Sequence, residues 1–233
     1  MSNKSKPPFE TAQLRSALKS FFLLPYAGTN RAVGSFKWGV YIFYDYDGEP
    51  IYVGQTKEKV SGRIGRHLTN QRTDAVAMSV LDPFEVFEIE VFPLPQFEDV
   101  NSRHPDYAKA RDHLDALEYL IHQRAISCSK FKAILNEKDP SAPKVTIDVP
   151  ESLRAGIVSK EVKELRGHPD VRIARRAQII SRLAQTISER DVKVGLRRSL
   201  VTQAERIRYL SSERFKELGG FNAVPQGRED EDE

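Results

Sequence analysis

The feature that most constrains this chain is a tight turn, Asp47-Gly48, between two apolar runs rich in β-forming residues. Trp38-Gly-Val-Tyr-Ile-Phe-Tyr44 precedes the turn, and Pro50-Ile-Tyr-Val-Gly54 follows it. Asp and Gly tolerate the positive φ angles of short hairpin turns, so the two runs are predicted to pair as an antiparallel β-hairpin. Apolar and acidic residues alternate over residues 84–92, which predicts a third strand with a bulge at Val86-Phe87.

Apolar residues at steps of three and four predict helices before and after these strands. The predicted helices are, in chain order, residues 11–24, 60–68, 74–81, 106–125, 173–187 and 192–210. The expected fold is therefore α+β, with a small, three-stranded, mainly antiparallel sheet flanked by helices, an N-terminal helix and a C-terminal helical extension.

The polar segment Glu137–Pro143 contains two prolines and predicts a domain boundary. Four regions follow from it: an N-terminal helical lead (1–36), a core that holds the sheet (37–139), a basic helical extension (140–218) and a disordered acidic tail (219–233). The extension up to residue 217 carries 17 Lys and Arg against 10 Asp and Glu. This excess fits a polyanion-binding surface, and an ordinary solvated surface is an equally good explanation on charge alone.

The composition favours a soluble protein in the cytoplasm. Charged residues make up 30% of the chain, and no stretch approaches the roughly 20 apolar residues of a membrane-spanning helix. The N-terminus has no apolar segment of the kind found in signal peptides. The single cysteine, Cys128, cannot form an intramolecular disulfide, which fits a reducing compartment.

Several short motifs occur together in one order along the chain, and this order is more informative than any of their residues taken alone. Gly39-Val40-Tyr41 and Tyr52-Val53-Gly54 lie on the two hairpin strands, and Arg63 and His67 lie one turn apart on the next helix. This arrangement resembles the GIY-YIG nuclease superfamily. The resemblance extends to the helix that contains Glu118, which is similar to the family's metal-binding glutamate, and to Ile134-Leu135-Asn136, which is similar to its terminal asparagine.

The residue types suit phosphodiester hydrolysis. A carboxylate such as Glu118 is an oxygen ligand for Mg²⁺, and Arg63 supplies a permanent positive charge for phosphate oxygens. Tyr41 or Tyr52 is a candidate general base, and His67 is a candidate for hydrogen bonding to a tyrosine or for proton transfer. The resemblance implies one Mg²⁺ or Mn²⁺ ion per active site. The predicted catalytic residues are Tyr41, Tyr52, Arg63, His67, Glu118 and Asn136.

Two departures from the family pattern bear on these roles. Many relatives carry lysine directly after the second motif, where this chain has Gln55, so a cation that would activate the tyrosine is missing unless Lys57 or Lys59 replaces it. The interval from Glu118 to Asn136 is also longer than is usual in the family.

The resulting hypothesis is a metal-dependent DNA endonuclease that acts as a bacterial restriction or defence enzyme, because His67 matches a histidine of restriction-type relatives. A DNA-repair or structure-specific nuclease and a non-catalytic DNA-binding module are the alternatives. The C-terminal helices are candidates for DNA contact, for homodimer formation, or for both. The predicted DNA-contacting residues are Lys57, Arg66, Arg172, Arg175, Arg176 and Arg182.

Overall fold

A computed structural model of the protein describes residues 7–69 and 80–222. The predicted hairpin is confirmed: strand β1 (Trp38–Tyr44) pairs antiparallel with strand β2 (Pro50–Lys57). Gly48 has a positive φ of 72° in the turn between them, which explains why glycine is needed there. The pairing register shifts between Phe43 and Tyr44. In this register Tyr41 lies opposite Gly54, so the two glycine-tyrosine motifs are held side by side.

The sheet contains four antiparallel strands in the order β2-β1-β3-β4, and not the three that the sequence predicted. Strand β3 spans Glu88–Pro93, so it begins after the predicted bulge at Val86-Phe87. Strand β4 spans Leu153–Gly156 and comes from beyond the predicted domain boundary. It was missed because four residues that include a glycine carry almost no strand signal.

Helices pack on both faces of this sheet. They are α1 (Phe9–Phe22), α2 (Val60–Thr69), α3 (Tyr107–Cys128), α4 (Lys160–Arg166), α5 (Pro169–Glu189) and α6 (Val194–Glu217). Helix α4 was not predicted, since seven residues are too few to show a helical period. The predicted helix at 74–81 and the predicted acidic tail lie wholly or mostly outside the described residues. Within the described part of the chain, no helix has the length and apolar character needed to cross a membrane.

All seven residues of β1 are buried because each face of the strand packs against a different set of helices. Val40 and Ile42 belong to a core that includes residues of α3. Tyr41 and Phe43 belong to a core that includes residues of α1, α2, α5 and α6. The second core therefore joins the region that holds the sheet (37–139) to the C-terminal extension.

Apolar stripes of the extension were predicted to support a homodimer, but part of that surface is used within the chain. Leu196 of α6 belongs to its predicted stripe and is buried in the core that it shares with Tyr41. On α5 the predicted stripe was wrong by about one residue: Ala177 and Ala184 are exposed, and the adjacent Ile179 and Leu183 are buried in that core instead. Strand β4 adds backbone pairing between the same two regions. The extension therefore packs as part of the same folded unit as the sheet, and a dimer is not needed to bury these side chains.

Buried ion pairs also hold the extension against the hairpin. Asp45, in the β1–β2 turn, is 1% exposed and accepts hydrogen bonds from Arg176 (3.0 Å) and Arg206 (2.7 Å). Arg172 donates two hydrogen bonds to Asp47, of 2.9 and 2.6 Å. These arginines are therefore paired with carboxylates inside the protein. At the contact between the two regions, the extension contributes positive charge and the hairpin contributes negative charge.

Candidate active site

Strand β2 lies at the edge of the sheet and faces a different helix on each side. Tyr52 belongs with the core on the α2 side, whereas Val53 belongs with the core on the α3 side. Side chains alternate along a strand, so Gly54 faces α2 and Gln55 faces α3. Residues on α2 and on α3 can therefore meet beside the end of β2, which is where the candidate site forms.

Gly54 is required because the Tyr41 ring crosses directly over it. A Cβ atom built at Gly54 would lie 2.5 Å from the Tyr41 hydroxyl oxygen, which is closer than real Cβ contacts allow. Tyr41 is fully buried, and this close approach fixes its hydroxyl beside β2. The glycine of the second motif thus creates the space that the tyrosine of the first motif occupies.

His67 of α2 packs against both tyrosines. Its ring centroid lies 6.0 Å from that of Tyr41 and 5.6 Å from that of Tyr52. The two tyrosine rings are themselves 6.4 Å apart. Three of the predicted catalytic residues are therefore brought together, and they come from three different elements.

Arg63 lies one turn before His67 and brings its positive charge to the same place. Burial raises the pKa of the Tyr41 hydroxyl above its ordinary value, the nearby Tyr52 phenol adds to the increase, and the charge and hydrogen bonding of Arg63 act against it. The Tyr41 hydroxyl and Arg63 Nε are both buried, and among the described residues neither makes a well-aligned hydrogen bond to a third group. Buried polar atoms without partners are uncommon in folded proteins and are frequent at sites that bind substrate.

Glu118 of α3 reaches the site from the other face of the sheet. The Gln55 side-chain Nε2 donates to Glu118 Oε2 at 2.9 Å and to Asp115 Oδ1 at 3.1 Å. Burial raises the pKa of the Glu118 carboxyl; the Gln55 hydrogen bond opposes this increase, Asp115 adds to it, and Arg63 opposes it. Glu118 therefore lies within the electrostatic reach of Arg63.

The residues at this site fit a magnesium ion held mainly by water and substrate. Within residues 7–69 and 80–222, no group of three or more His, Cys, Asp and Glu side chains is arranged to hold a metal. Mg²⁺ does not need such a group, because it is commonly bound by one or two carboxylates together with water and phosphate oxygens. Glu118 Oε2 accepts from Gln55, and no described group donates a hydrogen bond to Oε1. That oxygen is available as a ligand.

Asn136 lines the same cleft as the other site residues, and its side chain holds the edge of β2. Its side chain is 8% exposed, accepts from Val53 N at 3.0 Å and donates to Val53 O at 2.7 Å. The neighbouring Leu135 N donates to Ile51 O at 2.8 Å, so the segment covers the strand edge. In this structure Asn136 positions the strand between Tyr52 and Gln55.

A cleft opens beside these groups, and one of its walls comes from the extension. This cleft is lined by several of the residues described above, including Tyr52, Gln55, Arg63, His67 and Glu118. Tyr41 lies behind it. The lining also includes residues of α5 and of the predicted linker. The candidate site is consequently shared between the two regions that the sequence separated.

The predicted DNA-contacting residues divide into two groups. Arg172 and Arg176 are each 3% exposed and bind carboxylates of the hairpin region, so their prediction as DNA contacts is wrong. Arg175 lines the cleft but binds Asp82 through two nitrogens, one at 2.7 Å. The pairing of a surface arginine with a distant carboxylate is a tertiary property that charge counts do not reveal.

Arg66, Lys57 and Arg182 remain at the surface. Arg66 lines the cleft and forms an ion pair with Glu58, and Lys57 is exposed at the end of β2. Arg182 lines the cleft on α5 and makes no ion pair within the described part of the chain. Of these residues, Arg182 is the most available for a phosphate.

Sequence reasoning missed two residues that contact the site. Gln55 was noted only as a missing lysine, and Asp115 was not singled out. A signal for Asp115 did exist, because it lies three residues before Glu118 and must share its helix face. Gln55 was not recognisable as a partner of α3 because its contacts join positions about 60 residues apart.

Residues 37–97 match the family model described as the GIY-YIG catalytic domain. The match contains Tyr41, Tyr52, Arg63 and His67, whereas Glu118 lies beyond its end. No match was found among curated proteins or among solved structures. The matched domain supports a nuclease function in general terms, and it supports membership of the GIY-YIG nuclease superfamily for this part of the chain.

Proposed function

We propose that the protein is a divalent-metal-dependent DNA endonuclease of the restriction or defence type that acts in the cytoplasm. The observation that carries the proposal is the convergence of Tyr52, Arg63, His67 and Glu118 on one cleft. The cleft joins an arginine, a carboxylate and groups able to transfer protons, which together are the requirements of phosphodiester hydrolysis.

Arg63 binds the phosphate at which cleavage occurs. Its guanidinium remains protonated at any physiological pH, and its Nε lacks a partner among the described residues. Negative charge accumulates on the phosphate oxygens as the attacking water approaches. A fixed donor aimed at that charge contributes more to the transition state than to the ground state, which increases the rate.

Glu118 holds the metal ion, with Mg²⁺ or Mn²⁺ as the expected occupant. The ion supplies Lewis-acid stabilisation of oxygen atoms at the phosphate when it is bound. Glu118 is half-buried beside Arg63, so the protein holds one negative and one positive group at neighbouring points of the cleft. This arrangement suits a ligand that contains both a cation and a phosphate.

Tyr52 is better placed than Tyr41 to accept a proton from water. The Tyr52 side chain lines the cleft, whereas Tyr41 is fully buried behind it. Burial also holds the Tyr41 pKa above its ordinary value, so its hydroxyl stays protonated and acts as a hydrogen-bond donor at neutral pH. His67 contacts both rings and orients Tyr52 for this role.

Cleavage of intact plasmid and of branched or nicked DNA with Mg²⁺ tests the proposal. Fragments with defined ends from intact duplex support the restriction type, while preference for branched or nicked DNA supports a repair type instead. Arg63→Ala should lower the cleavage rate by about 100-fold or more, as does the loss of comparable transition-state donors in other enzymes. Glu118→Gln should abolish metal-dependent cleavage.

Arg208→Ala and Glu205→Gln are matched controls on α6. Arg208 is 72% exposed and, among the described residues, pairs only with Glu205, so neither substitution should alter cleavage. Loss of activity in these controls would indicate a general effect of charge removal. Binding without cleavage of any DNA, together with unchanged binding in Arg63→Ala and Glu118→Gln, would contradict the nuclease and favour a binding module.

Tyr52→Phe and Tyr41→Phe separate the two tyrosines. If Tyr52 accepts the proton, Tyr52→Phe should reduce the rate by about 100- to 10,000-fold, the range typical of general-base catalysis, and Tyr41→Phe should have a smaller effect. A larger effect of Tyr41→Phe would reverse the assignment. A pH-rate profile of each variant distinguishes loss of a base from loss of packing.

A further inference from the structure

Gln55 connects two carboxylates on α3, and only one of them is used by the proposed function. Its Nε2 donates to Asp115 Oδ1 at 3.1 Å and to Glu118 Oε2 at 2.9 Å. One amide nitrogen therefore makes a hydrogen bond to both acidic side chains. Asp115 also lines the cleft beside Glu118.

The two carboxylates carry charge that the protein does not fully neutralise. Within residues 7–69 and 80–222, neither Asp115 nor Glu118 forms an ion pair with lysine, arginine or histidine. Gln55 supplies hydrogen bonds without adding positive charge. Two like charges in a partly buried site repel each other, and a divalent cation would relieve that repulsion.

Oxygen atoms remain available at the same place. Gln55 Oε1 is buried and has no hydrogen-bond partner among the described residues. Glu118 Oε1 and Asp115 Oδ2 likewise receive no hydrogen bond from the described part of the chain. Carboxylate and amide oxygens are the ligands that Mg²⁺ and Mn²⁺ prefer, so the local chemistry suits a hard cation.

We propose that Asp115 is a second carboxylate of the metal site, and that Gln55 is a positioning residue that holds Asp115 and Glu118 together without neutralising them. The inference rests on the proposed metal-dependent function. It adds that this chain binds a divalent cation before DNA, because two anionic groups attract the ion without a phosphate. A lysine at position 55 would instead place a positive charge between the two carboxylates.

Titration of the intact protein with Mn²⁺ in the absence of DNA, followed by electron paramagnetic resonance, tests the inference directly. Asp115→Asn keeps the size of the side chain and an oxygen that can accept from Gln55. It should nevertheless weaken Mn²⁺ binding by about tenfold or more, a typical effect of altering the surroundings of a metal ligand. Glu118→Gln should weaken binding at least as much.

Substitutions of Gln55 should weaken Mn²⁺ binding to different extents. Gln55→Ala removes the donor that holds the two carboxylates together, and Gln55→Lys also places an ammonium group that competes with the cation, so Gln55→Lys should weaken binding more. Unchanged Mn²⁺ affinity in both variants would contradict the positioning role of Gln55. Glu205→Gln is the control for loss of a negative charge, since Glu205 does not line the cleft and pairs with Arg208 at 3.0 Å; it should leave Mn²⁺ affinity unchanged.

The outcomes distinguish the inference from the proposed function. The role of Asp115 as a second carboxylate is refuted if Asp115→Asn binds Mn²⁺ as tightly as the unaltered protein. It is also refuted if the unaltered protein binds no Mn²⁺ without DNA. Neither result contradicts the proposed DNA cleavage, which is measured separately. If Mn²⁺ binds as expected but no DNA is cleaved, the proposed nuclease fails and the two-carboxylate site stands. Circular dichroism of each variant excludes misfolding as the cause.

Discussion

Replacement of Asp45 by asparagine removes one buried charge at the contact between the hairpin and the extension. Asp45 Oδ2 accepts from Arg176 and Arg206, while Oδ1 accepts from the backbone nitrogens of Asp47 and Glu49 at 2.9 and 3.0 Å. Asparagine retains an oxygen for the two backbone hydrogen bonds. The substitution therefore leaves the turn in place and removes the carboxylate that faces the arginines.

The expected cost is large because the arginines remain buried. Arg176 and Arg206 are 3% and 2% exposed, and removal of one partner from a buried ion pair typically costs about 3–5 kcal/mol. Burial lowers the pKa of Arg206, and the charge of Asp45 is the strongest opposing influence. For a chain of 150–250 residues, about 1 kcal/mol corresponds to roughly 2–4 °C in Tm, so the loss should be about 6–20 °C.

Urea unfolding and a thermal melt of Asp45→Asn and Glu88→Gln provide the comparison. Glu88 pairs with Arg154 at the surface, where the side chains are 28% and 40% exposed, and such pairs contribute at most about 1 kcal/mol. Asp45→Asn should therefore be the more destabilising substitution by a wide margin. A loss no greater than that of Glu88→Gln would refute the argument that this buried charge network fastens the extension to the core.

Four further predictions concern the site and its support. Gly54→Ala should destabilise the fold by about 1–3 kcal/mol, as overpacking does, and reduce cleavage, because the new methyl group displaces Tyr41. Asn136→Ala should cost about 1–3 kcal/mol for each buried Val53 backbone group that it leaves without a partner, measured by urea unfolding. A chain that ends at Pro143 should lack a cooperative melt, since it loses β4 and the extension side chains in the shared core, and a sharp native-like melt would contradict this expectation. Glu118→Gln should raise Tm in EDTA at neutral pH. Burial raises the pKa of the Glu118 carboxyl, which means that its ionised form destabilises the folded state, and glutamine carries no such charge. The gain in Tm should disappear as pH falls below the ordinary glutamate pKa.

Acid should weaken the contact between the extension and the hairpin. Burial alone would raise the pKa of Asp47, but its hydrogen bonds and charge interaction with Arg172 outweigh burial and lower it below the ordinary value. A lowered folded-state pKa contributes stability above the ordinary aspartate pKa, and that stability is lost as pH falls through the lowered value. The dependence of stability on acid should therefore be smaller in Asp47→Asn.

Local features of this fold were readable from the sequence because their signals are local. The hairpin was predicted from Asp47-Gly48 and its flanking apolar runs, and α3 from a regular stripe of leucine and isoleucine. Strand β4 was not predicted because its pairing with β3 joins residues more than 60 positions apart. Short strands of this kind form only when a longer partner is already in place.

The same division applies to the candidate site. The motifs placed Tyr52, Arg63 and His67 near one another because a hairpin and the helix that follows it have a predictable geometry. The wall contributed by α5 was not predictable, since nothing in the spacing of arginines indicates which of them face a carboxylate. Tertiary contacts decide that question, and here they bury Arg172 and Arg176.

The charge asymmetry of the sequence therefore has a different meaning from the one it first suggested. Much of the basic excess of the extension faces acidic groups of the core, through pairs that involve Arg172, Arg175, Arg176, Arg206, Asp45, Asp47, Asp82 and Glu85. Charge that is neutralised inside a folded chain cannot attract a polyanion. What remains for the proposed DNA substrate is the cleft, which is lined by Arg63 and Glu118 from one region and by Arg182 from the other. The extension thus completes the cleft of the proposed nuclease site, and its arginines are divided between ion pairs with the core and positions on the cleft surface.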